Sequence, residues 1–267
     1  MAIADYDEYL ALLGQNRAAD FQMSGAIIAS RMNAFYRLFL PAPATPTTSV
    51  ALDKNSDAAI GPIPDSSTGK LCILGGRFNT SGLSGVSLTA VDLLNQSGGL
   101  SGIVTTEQTT NLPTAVLTRH TSGEGVMVGL IIYSSVGTTA TTVTIRYTNQ
   151  AGTPNQISTA TAFGGTGFRE SPRLILIPLA AGDTGVRSVE GVTIAATTGT
   201  AGNFGVVMFK PLTVFSLENT SGAMPLDAVT GGMVSALQPF DDDACLSMIG
   251  ISPVVQTVTG AILLAEV

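Results

Sequence analysis

The run from Leu176 to Ile194 constrains the fold of this chain more than any other stretch. Leu176-Ile177-Pro178-Leu179 ends one apolar strand. Gly182-Asp183-Thr184-Gly185 supplies turn chemistry, and Val186 opens the next strand. Asp183 is placed to cap its own turn by accepting backbone N–H bonds. Arg187, just past the turn, is expected to reach a carboxylate across the strand or at an interface. Both are structural candidates, since the run carries no catalytic motif.

The same grammar recurs along the chain. Residues 142–148 alternate, with Val143, Ile145 and Tyr147 on one side and Thr142, Thr144 and Arg146 on the other. Asn149-Gln150-Ala151-Gly152 is a turn. Further strands are expected at 70–78, 126–135, 173–179, 186–195, 204–210, 246–251 and 258–267. The similar pieces Leu83-Ser84-Gly85-Val86 and Leu100-Ser101-Gly102-Ile103 read as hairpin edges. Short strands with Gly-rich turns predict an all-β, jelly-roll-like β-sandwich over 70–267.

The first 69 residues read differently. Ile3, Tyr6, Tyr9, Leu10 and Leu13 recur at helical spacing, with Gly14 suited to the C-terminal cap. This short helix can dock on its own domain or on a neighbouring subunit. Two strands near 20–30 and 33–40 are expected next, with a helix as the alternative. Pro41, Pro43 and Pro46 then start an extended Pro-rich arm to residue 69, which reads as a loop ordered on assembly or an arm over a neighbour.

Composition bears on function. Charged residues make up 12% of the 267-residue chain, against roughly 25% in ordinary soluble domains. Sparse charge leaves a poorly protected surface, so burial against neighbouring copies is expected. The net charge is −7 and no Lys/Arg run exists, which argues against direct nucleic-acid binding. With no Trp and only 5 Tyr, a base-stacking platform is also not expected. No apolar run approaches a membrane span, and the acidic N-terminal stretch lacks a signal peptide's pattern, so synthesis in a cytoplasm is expected. Cys72 and Cys245, both in apolar contexts, read as buried thiols; their spacing does not decide against a disulfide.

The inventory of reactive groups is thin. His120 is the only histidine, so no His pair can bind zinc, and it reads as a structural residue in a polar loop. Nucleophile-elbow, P-loop and dinucleotide motifs are missing. Asp53, Asn55 and Asp57 start like a calcium loop, but Ala58 stands where the turn needs Gly and Pro64 where a bidentate Glu belongs. Glu124 and Glu170 have no carboxylate partner at glycosidase spacing. Asp241-Asp242-Asp243 is the remaining weak metal candidate; it reads first as a solvated turn or cap, with relief by Arg from a neighbour, and then by a cation, as the alternatives. No enzymatic activity, cofactor or resident metal is expected.

Three segments carry a family likeness: Tyr147 to Gly152, Pro178 to Val189, and Thr198 to Val206, with Asp243-Ala244-Cys245-Leu246 near the close. Together, over roughly residues 120–250, they resemble β-rich virion structural proteins of tailed bacteriophages. The resemblance implies a particle component made in the host cytoplasm and located in the virion. Its partners would be the major capsid protein, or neck or tail proteins, and copies of itself. Capsid decoration or cement is the leading role it implies, with a neck, collar or tail ring component as the alternative. A host-glycan-binding module is a further alternative, disfavoured by the missing Trp and the lack of an acidic pair. The resemblance brings no site residues with it.

Overall fold

A computed structural model of the chain describes residues 17–27, 35–38, 45–60, 63, 65–80, 85–217, 221–225, 239–251 and 256–267. The expected helix at 3–13 lies outside them. Among the described residues there is no helix, and sixteen strands are formed. They are β1 (Arg17–Ile27), β2 (Phe35–Leu38), β3 (Val50–Ala51), β4 (Lys70–Thr80), β5 (Val86–Gln96), β6 (Met127–Ser134), β7 (Thr141–Asn149) and β8 (Gln156–Ile157). They continue with β9 (Thr161–Phe163), β10 (Arg173–Leu176), β11 (Val186–Ile194), β12 (Asn203–Leu217), β13 (Ser221–Pro225), β14 (Phe240–Asp241), β15 (Cys245–Ile251) and β16 (Gln256–Glu266).

Among the described residues the fold is all-β, and the strand pairings are antiparallel. One sheet runs β1-β16-β4-β13, with β14 also on β4; a third is β11-β7-β8, with β9 on β7. Between them lies the sheet β12-β6-β10-β2-β15-β5-β3. Here β12 is unusually long. Residues 203–209 pair with β6 and 207–217 with β5, so the path β12-β6-β10-β2-β15-β5 returns to β12 as a closed ring. The layered packing is consistent with the expected sandwich; the closure of the middle sheet has no counterpart in the sequence reading. Register shifts in β12 beside Phe209 and between Pro211 and Thr213 let it serve both neighbours, as bulges do by bending and twisting a strand.

The three largest hydrophobic clusters among the described residues follow from this layering. Leu71, Ile73 and Phe78 of β4 meet Leu88 of β5, Phe215 of β12 and Met248 of β15 between the first and middle sheets. Val128, Leu130 and Ile132 of β6 meet Val143, Ile145 and Tyr147 of β7 and Val189 and Val192 of β11 between the middle and third sheets. Val91, Leu93, Val207, Phe209 and Ile249 form a further cluster on alternate residues of the ring strands, joined by Leu52 and Ala58 from the arm. β5 records the crowding: its burial alternates from Val86 to Ala90, then every residue to Gln96 is buried. Alternation on β7 is as the sequence predicts, with Val143, Ile145 and Tyr147 inside.

The described part of the Pro-rich arm lies on its own chain. β3 pairs with β5, Leu52 N–H donates to the Leu94 carbonyl at 3.1 Å, and Ile60 N–H to the Leu246 carbonyl at 2.6 Å. Ile60 and Ile63 are buried in the first cluster. Leu52, Ala58, Ile60 and Ile63 supply the reason: each is buried against the sheets. β1 and β2, from before the arm, pair with β16 and with β10 and β15 respectively.

A long loop over residues 97–126 joins β5 to β6. It covers the outer edge of β11: Gln108 and Val192 exchange backbone bonds at 2.9 and 3.0 Å, and Val189 N–H donates to the Pro113 carbonyl at 3.1 Å. The loop also carries Arg119 and His120 into the interior.

Candidate functional site

The most concentrated polar chemistry lies at Asp92 in the middle of β5. Its side chain is fully buried. Arg119 Nε donates to Asp92 Oδ2 at 3.0 Å and Nη2 to Oδ1 at 2.7 Å, a bidentate clamp. The same Nη2 reaches the carbonyls of Leu52 and Leu93 at 2.8 and 3.1 Å. Cys245 N–H donates to Asp92 Oδ1 at 3.0 Å. One ion pair thus fastens β5, the 97–126 loop, the arm and β15. His120 Nε2 stands 3.4 Å from Asp92 Oδ2, buried and without a hydrogen-bond partner. His120 also takes a left-handed backbone, φ 50°, and its side chain is half-buried.

Burial pushes the Asp92 carboxyl up, but the adjacent His120 imidazole and the bonds and charge of Arg119 outweigh it and hold the group below the ordinary carboxylate range. Burial likewise opposes the Arg119 charge, and Asp92 more than compensates. Both carboxylate oxygens accept N–H bonds, so the arrangement holds segments together. The sequence reading passed over Asp92. Its signal was a charge inside the apolar run Val91-Asp92-Leu93-Leu94, which demands a buried partner.

A second network surrounds the 182–185 turn. Tyr147 Oη donates to Asp183 Oδ2 at 2.5 Å and accepts the Ala180 N–H at 2.8 Å. Asn149 Nδ2 donates to Asp183 Oδ1 at 2.7 Å. The turn's own N–H groups, at Thr184 and Gly185, go to Gln150 Oε1 at 3.1 and 3.2 Å. Asp183 therefore ties the turn to β7 through side chains, and Gln150 does the capping that was expected of it. Burial, then the bond to Asp183, pushes the Tyr147 hydroxyl up to about 12. Arg187 meets carbonyls where a carboxylate was expected: Ser122 at 3.1 Å and Gln150 at 2.6 Å.

The acidic triplet disperses. Asp241 pairs with Lys70, Asp243 with Lys54 at 3.3 Å, and Asp242 Oδ2 accepts the Ser66 N–H at 2.8 Å. That backbone bond, the largest of its influences, holds the Asp242 carboxyl below its ordinary value. The cluster sits at a turn, and lysines and a backbone group of the same chain face its carboxylates where a neighbour's Arg or a cation was the alternative. Among the described residues no group of three or more His, Cys, Asp and Glu side chains converges as metal ligands. Asp53 Oδ1 accepts the Asn55 N–H at 2.9 Å, so the calcium-like start is a closed polar turn. Glu124 Oε2 accepts the Thr184 hydroxyl at 2.9 Å, and Glu170 lies 3.5 Å from Arg173.

Cys72 and Cys245 are free and buried. Burial pushes the Cys72 thiol up to about 11. Neither thiol is expected to react with an aromatic disulfide reagent until the chain unfolds. Absorbance of the released thiolate checks this: no release from native protein and full release in denaturant are expected, and rapid release from native protein contradicts the buried placement.

No family model matches this chain, and no curated protein matches it. Among solved structures it is similar to the VP2 subviral particle of infectious bursal disease virus, with 11% identity over 94% of this chain and 81% of that one and a TM-score of 0.20. A structure of the Gx strain of the same virus gives 9% identity, 94% and 80% coverage and a TM-score of 0.20. The T13 viral particle gives 10%, 94%, 78% and 0.22. Similarity this low carries no argument about fold or role.

Proposed function

We propose that this chain is a non-enzymatic structural component of a tailed-phage virion, a jelly-roll-type sandwich that decorates or cements the capsid. One observation carries the reading: the conspicuous polar clusters bind the chain to itself. Asp92 with Arg119, Asp183 with Tyr147, and the 241–243 carboxylates all fasten loops to sheets. The surface is sparse in charge, since only 12% of the chain is charged, and the chain is rich in Ser, Thr, Gly and Ala. Such a surface suits adhesion by area, where many weak contacts on a lattice add up to stable attachment. The likeness of the 147–152, 178–189 and 198–206 segments to phage virion proteins points the same way.

The test is quantitative mass spectrometry of purified particles. Copy number comparable to that of the major capsid protein is the expected result. A small fraction of it moves the chain to a neck, collar or tail ring. Absence from particles removes the virion reading altogether.

A further inference from the structure

We draw no further inference here: the strongest candidate, the apolar patch that Cys72, Leu74 and Ala265 form on β4 and β16 of the first sheet, carries none because nothing among the described residues shows what covers it.

Discussion

Replacing Arg119 by Ala is expected to destabilise the fold by about 3–5 kcal/mol, the range for breaking a buried ion pair from one side. The loss comes chiefly from what remains. Asp92 is then an uncompensated charge with no exposed surface, and the Leu52 and Leu93 carbonyls lose their shared donor. Asp92→Ala should cost a similar amount by stranding Arg119. The double change Asp92→Leu with Arg119→Met should cost clearly less than the two single losses combined, since it removes both charges and keeps the volume. Denaturant titration of the four proteins gives the comparison. Purely additive losses would contradict the pairing.

The same site sets an acid limit. Its folded carboxyl titrates below the ordinary carboxylate value, so the unfolded chain takes up the proton first as pH falls. The stability it confers is complete above the ordinary carboxylate range and is lost as pH drops through the folded value. Asp92→Asn should lack this contribution to the acid limb of the stability profile, while the rest of the curve keeps its shape.

The second large effect concerns the turn at 182–185, where two glycines serve different needs. Gly182 has φ +92°, with open space around it, so Ala there meets only backbone strain, about 1–2 kcal/mol. Gly185 sits where the 97–126 loop crosses: a Cβ would stand 1.9 Å from the Gly123 carbonyl oxygen and 2.8 Å from the Gly125 nitrogen. Both obstacles are backbone, so Gly185→Ala must push the loop off β11. A cost at or above about 3 kcal/mol is expected. Denaturation midpoints of the two variants check the order, and equal losses would contradict the close crossing.

These sites mark what could be read from the chain. The strands around Val143, Ile145 and Tyr147, and those on either side of Gly182, declared themselves through period and turn residues, which are local signals. β5 was legible only in pieces, because a strand buried on both sides has no alternation beyond Ala90. The closed middle sheet was invisible, since it depends on which distant strands flank β12. Asp183 and Arg187 were singled out from the turn itself. Their partners Tyr147, Gln150 and Ser122 come from other strands and loops, and no spacing announces them. Asp92 and Arg119 lie 27 positions apart, so their pairing depends on where the loop returns.

Cryo-electron microscopy of intact virions tests the proposal that this chain is part of a particle. Density for the layered β-body repeated over the capsid lattice, in contact with the major capsid protein, is the predicted result. A fully interpreted particle with no place for this chain on head, neck or tail would contradict it.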